Sequence, residues 1–219
     1  MRRANIAVLV SGGGTNLQAL LGAQAAGTLK SGQITLVISN NPDAFALERA
    51  KKAGVATAVI TKKACGSQAA FEKSVAERLA AAEIDLSILA GCMSILSGDF
   101  THRFENRILN VHPSLIPAFC GEGYYGLRVH QAVLDYGAKV TGATVHYVNE
   151  IPDGGKIIAQ KAVEVAPDDT PQSLQKKVMQ QAEWILLPKA AEEVSRKLLE
   201  KERSTMETYR VERLEQLLS

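Results

Sequence analysis

The sequence predicts an α/β protein with a Rossmann-like, open, mostly parallel twisted sheet and helices on both faces. Two observations carry that prediction. Short apolar runs alternate with helical patterns through the first half of the chain, and the first run ends in three consecutive glycines. A chain of 219 residues is long enough to bury the core of one such domain.

The elements follow in order. Strands are expected at Asn5–Val10, Ile34–Ser39, Thr57–Ile60, Leu86–Ala90 and Arg107–Val111, the last running into the segment Asn110-Val111-His112. Helices are expected over Asn16–Ala26, Ala46–Ala53 and Ser67–Ala82, where apolar residues recur at helical spacing and alanine is abundant. Strands separated by helical crossovers pair in parallel. The pattern changes near the C-terminal part of the sheet. Thr144–Val148 and Ile157–Val165 are separated by only a short Asp-Gly-Gly loop, too short for a crossover, so this pair is antiparallel. An extended C-terminal helix then starts with Thr170 as N-cap and Pro171 at its first position, with a kink expected at Pro188. From Glu192 the helix is charge-dense, with a sparse apolar stripe of Val194, Leu198, Met206, Tyr209, Leu214 and Leu217. Such a stripe fits packing on its own domain or self-association into a homodimer.

Composition removes several classes of function. A net charge of +2 gives no field for a polyanion, and 5% aromatics leave no stacking platform, so nucleic acid is not an expected partner. No apolar run approaches the roughly 20 residues a membrane span needs, and the N-terminal run Asn5–Val10 is too short for a secretory signal. Cys65, Cys92 and Cys120 form no Cys-x-x-Cys pair and read as reduced thiols in a cytoplasmic protein. His102, His112, His130 and His146 lack helical metal-ligand spacing, so no metal is expected.

Two segments carry chemistry. Ser11-Gly12-Gly13-Gly14-Thr15-Asn16 joins the first strand to the first helix, where unpaired helix N–H groups and a close backbone approach suit a phosphate. Leu17 stands where a dinucleotide fingerprint needs glycine, and no lysine follows the glycines, so neither NAD nor ATP fits. Asn110 and His112, two apart on a strand, project to one face at the carboxyl end of the sheet, and Pro113 stops that strand. Asp153, in a glycine-containing loop, would favour an imidazolium, while Asn110 offers a neutral donor to a developing oxyanion. No serine or cysteine stands beside His112 as an evident nucleophile. The set points to direct acyl transfer to an external amine.

These residues, together with Ser39-Asn40-Asn41, Leu89-Ala90-Gly91-Cys92-Met93, Asn110-Val111-His112-Pro113-Ser114-Leu115-Ile116-Pro117, Thr141-Gly142-Ala143-Thr144-Val145-His146 and Asp153-Gly154-Gly155, resemble the phosphoribosylglycinamide formyltransferases, a folate-dependent family of purine synthesis. The resemblance runs to about Pro188. It implies transfer of formyl from 10-formyltetrahydrofolate, as co-substrate and without a metal, to the glycinamide amine of a phosphoribosyl substrate. It gives Asn110 the formyl carbonyl, makes His112 the acid group, and has Asp153 organise proton transfer. It further assigns Gly13, Gly14, Thr15, Asn16, Pro113, Gln180 and Glu183 to the phosphoribosyl substrate. To folate it assigns Gln68, Met93, Ser94, Ile95, Leu96, Asn110, Asn149, Glu150, Ile151, Pro152 and Asp153. Ser94 and Gln68 stand where relatives carry arginine, and the stretch 119–126 is longer than in some relatives.

The implied organisation is a formyltransferase domain over 1–191, phosphate-binding in its N-terminal half and folate-binding and catalytic in its C-terminal half, with a charged helical extension over 192–219. A formyl-folate hydrolase shares the Asn-x-His and Asp machinery but usually carries an N-terminal regulatory domain, for which the first strand at Asn5 leaves no room. The transformylase of methionyl-tRNA needs a C-terminal RNA-binding domain, for which the stretch after Glu192 is too short. A non-catalytic phosphate-binding module would have no use for Asn110, His112 and Asp153 together.

Overall fold

The computed structural model describes residues 2–92 and 96–218. Met93, Ser94 and Ile95 lie outside the described residues, as do the side chains of Leu214 and Leu217. In chain order the elements are β1 (Ala4–Val10), α1 (Thr15–Ala25), β2 (Gly32–Ser39), α2 (Phe45–Lys52), β3 (Ala56–Val59), α3 (Lys62–Cys65), α4 (Gln68–Ala81), β4 (Leu86–Leu89), α5 (Gly98–Arg103) and β5 (Ile108–His112). They continue with α6 (Leu127–Asp135), β6 (Val140–Tyr147), β7 (Ile157–Glu164), α7 (Pro171–Val178), a π-helical turn at Met179–Glu183, and α8 (Trp184–Leu218).

The strands form one seven-stranded sheet in the order β3-β2-β1-β4-β5-β6-β7. The first five pair in parallel, β6 runs antiparallel to β5, and β7 antiparallel to β6. Alternation along β1 shows why both faces are covered. Ile6, Val8 and Val10 pack with Leu17 and Leu20 of α1 and Leu187 and Val194 of α8, whereas Ala7 and Leu9 pack with Phe71, Val75 and Leu79 of α4. The order of strand addition reverses at β1, with β2 and β3 on one side and β4 and β5 on the other, and that switch point opens a crevice at the carboxyl edge of the sheet.

The expected fold class stands, with local differences. β6 begins at Val140, ahead of the expected Thr144, because Gly142 interrupts the apolar pattern without interrupting the ladder. The helices α3, α5 and α6 are too short to announce themselves by periodicity. Thr170 is the N-cap of α7 and Pro171 stands in its first turn, as expected, and Ser173 adds a capping box by accepting from the Thr170 N–H while its own N–H donates to the Thr170 hydroxyl. Beyond it α8 is assigned continuously through Pro188, and the irregular hydrogen bonding lies just upstream, in the π-helical turn. Packing of α8 continues through Val194, Ser195 and Leu199, all buried, while Met206 and Tyr209 are exposed. Glu192 accepts from both the N–H and the hydroxyl of Ser31 at 2.8 Å, fixing α8 to the loop before β2. Among the described residues no helix is long and apolar enough to cross a membrane.

Candidate active site

β5 delivers Asn110 and His112 to the crevice, and the loop after β6 delivers Asp153. That loop turns sharply. Asp153 has φ 56°, in the left-handed region where an L-residue other than Asn or Asp is strained. Gly155 packs so closely on the Tyr147 carbonyl that no Cβ would fit. The result is a compact polar cluster. His112 Nδ1 lies 3.3 Å from Asp153 Oδ2, and Asn110 Nδ2 lies 3.4 Å from Asp153 Oδ1.

Each member of the cluster is also held from behind. The ring of His112 donates from Nε2 to the Phe119 carbonyl at 2.9 Å, and Asp153 Oδ2 accepts from the Gly121 N–H at 2.9 Å. The stretch 119–126 is thus tied by its backbone to both groups. His146 Nδ1 faces the Tyr147 carbonyl at 2.8 Å, which can only accept, so this nitrogen carries the proton. The other nitrogen, Nε2, stands between Asn110 Nδ2 at 3.2 Å and Asp153 Oδ1 at 3.6 Å. With the acceptor Asp153 Oδ1 itself 3.4 Å from Nδ2, the NH2 end of Asn110, not its oxygen, faces the cluster. His146 therefore both satisfies a neighbouring backbone group and touches the site. It stands at a register shift between β6 and β7, an irregularity that strand alternation in the sequence does not reveal.

Electrostatics favours an ionised Asp153. Burial pushes its carboxyl up, but His146, His112 and the Gly121 N–H outweigh that and hold it below the usual range. On His112, burial works against the charged ring and holds its pKa below that of free histidine, while Asp153 and the Phe119 carbonyl pull the other way. An acceptor at each ring nitrogen and a buried setting leave the second proton of His112 readily transferable. His130 also lines the cavity. It is fully buried, neither ring nitrogen has a partner among the described residues, and burial followed by the nearby His112 lowers its pKa to about 4.

The cavity at this crevice measures about 780 Å³. One wall carries Asn16 of α1 and Glu183 of the π-helical turn. Asn16 Nδ2 donates to Glu183 Oε2 at 2.7 Å, and Asn16 Oδ1 is buried without a partner among the described residues. Burial raises the Glu183 carboxyl, against the smaller pull of Asn16. Leu96, Cys92, the segment Asn149–Asp153, Pro113 and the 121–126 stretch also line the cavity. Gly13, Gly14 and Thr15 sit at the α1 N-terminus, next to Asn16 but not in this lining. Gly14 is left-handed at φ 71°, and a Cβ there would come within 2.6 Å of Ala46 Cβ. Two expected residues stand elsewhere. Gln68 does not line the cavity and donates to Glu72 at 2.7 Å, a buried carboxylate that also receives the Ser97 N–H at 2.7 Å and the Ser97 hydroxyl at 2.5 Å. Gln180 is exposed, and Gln175 and Met179 line the wall beside Glu183.

A family model described as formyl transferase matches residues 4–190, which include every element of this site. The chain belongs to the formyl transferase family. Among curated members, the phosphoribosylglycinamide formyltransferase of Haemophilus influenzae is 40% identical over 176 residues, covering 80% of each chain. The trifunctional purine biosynthetic protein adenosine-3 of Drosophila melanogaster is 41% identical over 188 residues, which are 84% of this chain and 13% of that protein. Other trifunctional relatives are similarly longer, so the chain spans less than a fifth of their length. Among solved members of the formyl transferase family, the crystal structure of glycinamide ribonucleotide transformylase 1 from Symbiobacterium toebii superimposes with a TM-score of 0.83. It is 41% identical, with 89% of this chain and 88% of that one covered.

Among the described residues no group of three or more His, Cys, Asp or Glu side chains is arranged to hold a metal ion.

Proposed function

We propose that this chain transfers the formyl group of 10-formyltetrahydrofolate to the glycinamide amine of N1-(5-phosphoribosyl)glycinamide, giving the N-formyl product and tetrahydrofolate in purine synthesis. The observation that carries the reading is the convergence of Asn110, His112 and Asp153 on one face of a cavity with the α1 N-terminus at its side. It is supported by the family and by relatives of that name.

The residues divide the work. Asn110 exchanges its longer, 3.4 Å contact to Asp153 for the formyl oxygen, donates to that oxygen as the amine attacks the formyl carbon, and strengthens the bond as the oxygen becomes an oxyanion. The new carbon–nitrogen bond forms while the amine loses a proton, and the bond to the folate nitrogen breaks as that nitrogen gains one. Asp153, ionised and partly open to the cavity, accepts the first proton directly or through water. His112 holds the transferable proton beside it and stabilises the charge that Asp153 alternately gains and loses. Neither ring nitrogen of His112 points free into the cavity in this conformation, so direct donation from Nε2 requires release of the Phe119 carbonyl.

The acceptor lies on the side of Asn16 and Glu183, its phosphate at Gly13, Gly14 and Thr15, and Pro113 bounds it at the end of β5. Glu183 and the unpartnered Asn16 Oδ1 suit hydroxyls and amide hydrogens. The pterin lies against Leu96 and Asn149–Asp153. Gln68 and Gln180 have no part in this reading.

A formyl-transfer assay with and without the phosphoribosyl acceptor tests it. Transfer should require the acceptor. Equal loss of formyl from the folate in both cases would identify a hydrolase and overturn the proposal.

A further inference from the structure

The glycine turn carries no lysine, and its anion-binding N–H groups must be aimed by something else. Three successive carbonyls of the turn are drawn to the loop after β2 and to α2. Ser11 O accepts from Asn41 Nδ2 at 3.3 Å, Gly12 O from the Ala46 N–H at 3.1 Å, and Gly13 O from Arg49 Nε at 2.8 Å. A trans peptide points its N–H opposite to its carbonyl. Fixing these three carbonyls toward α2 therefore turns the N–H groups of Gly12, Gly13 and Gly14 the other way, side by side. Among the described residues nothing accepts from these three N–H groups. Successive N–H groups so aligned form an anion-binding concavity, here continuous with the α1 N-terminus.

Arg49 is the one charged member of this brace, and it is well held. Its Nη1 donates to Gln18 Oε1 at 2.9 Å, and its guanidinium lies 5.0 Å over the Phe45 ring. Gly14 fits the same scheme, because a side chain there would collide with Ala46, whose N–H holds Gly12.

We infer that Arg49, with Asn41, is a positioning residue of the phosphate seat: it fixes the Gly13–Gly14 peptide with its N–H toward the substrate phosphate and supplies the positive charge that the turn itself lacks. This rests on reading the turn as the seat of the acceptor's phosphate. A charge-assisted hydrogen bond of this kind contributes roughly 1.5–3 kcal/mol, so its loss corresponds to about a 10- to 100-fold loss of affinity.

The experiment compares Arg49→Gln, Arg49→Lys and Gln18→Ala with the parent protein in two measurements. The first is steady-state formyl transfer; the second is calorimetric binding of inorganic phosphate to the free protein. Arg49→Gln should raise the KM for the acceptor about 10-fold or more, and weaken phosphate by a similar factor. The KM for the folate and kcat should stay within about twofold. Gln18→Ala, which leaves the arginine but frees one end of it, should show a smaller change in the same direction. Arg49→Lys keeps the charge without the fork and should fall between parent and Arg49→Gln. A lysine variant equal to the parent would overturn the positioning role, and unchanged acceptor KM and phosphate affinity in Arg49→Gln would overturn the inference entirely. Failure of formyl transfer in the parent, with phosphate binding present and lost in Arg49→Gln, would sink the proposed function and leave this inference standing.

Discussion

His130 offers a direct test of the electrostatics of the cavity. Its ring is wholly buried, without a partner for either nitrogen among the described residues, and its pKa is lowered to about 4, by burial first and then by His112. The folded protein thus refuses a proton that the unfolded chain accepts below about pH 6.5. The sign follows. Above that pH His130 adds no pH dependence, and as pH falls from about 6.5 toward about 4 the unfolded state gains protons and stability drops. The difference between the two pKa values corresponds to about 3 kcal/mol, reached near the folded-state pKa. Glu183 acts oppositely, since its raised pKa gives stability at low pH that is lost as pH rises, so the parent's slope alone would mix the two. Replacing His130 with glutamine removes one titrating group and leaves the other. Urea unfolding at about pH 7 and about pH 4.5 should therefore show the parent losing roughly 2–3 kcal/mol more than His130→Gln between these conditions. Equal losses in the two proteins would mean that His130 is solvated or paired in solution, and would refute the reasoning.

Two further outcomes follow from the geometry. Asn110→Ala removes the donor that faces the developing oxyanion and should lower kcat by about 100- to 1,000-fold with substrate KM values little changed, as steady-state kinetics will show; near-normal kcat would remove Asn110 from the mechanism. For the boundary proposed at residue 191, a chain cut there loses the buried Val194 and Leu199 and the Glu192 bonds to Ser31, and should lose about 3 kcal/mol or more in denaturant unfolding. A cut after Glu202 should stay near the parent, and equal stability of both would make 191 the true edge of the fold.

The parts of the fold and site that were legible in the sequence are those set by local periodicity. Asn110 and His112 had to share a face because strand residues alternate, and the switch point placed that face at the carboxyl edge. The N-cap at Thr170, with Pro171 after it, is likewise local. What depended on long-range packing was not legible. Gln180 and Glu183 were paired by resemblance alone, whereas Gln175, Met179 and Glu183, spaced four apart, are the residues of this helix that line the cavity. The pairing of β6 with β5 sets His146 directly opposite Asn110, a long-range register that no local pattern specifies. Gln68 was read by position alone, and its tie to Glu72 follows from a buried carboxylate whose need for donors is visible only in three dimensions. Arg49 had no sequence signal beyond its place on α2, and only the direction of the Gly13 carbonyl reveals it.

The two ends of the crevice share one construction. At the reaction centre, Asn110 is held by Asp153 and His146, His112 by the Phe119 carbonyl and Asp153 by the Gly121 N–H. At the glycine turn, the peptide groups are turned by Asn41, Ala46 and Arg49. In each case a polar group that must face substrate has its other side anchored by a neighbouring element. Such groups need little reorganisation when charge appears, and this is why dipoles fixed in a partly dry cavity stabilise a transition state better than water, which must reorient. The cost appears elsewhere, in a left-handed Asp153, a glycine pressed on the Tyr147 carbonyl, and a buried histidine without partners. Local irregularity is concentrated where the anchoring is densest, as expected if the fold tolerates it for the sake of orientation.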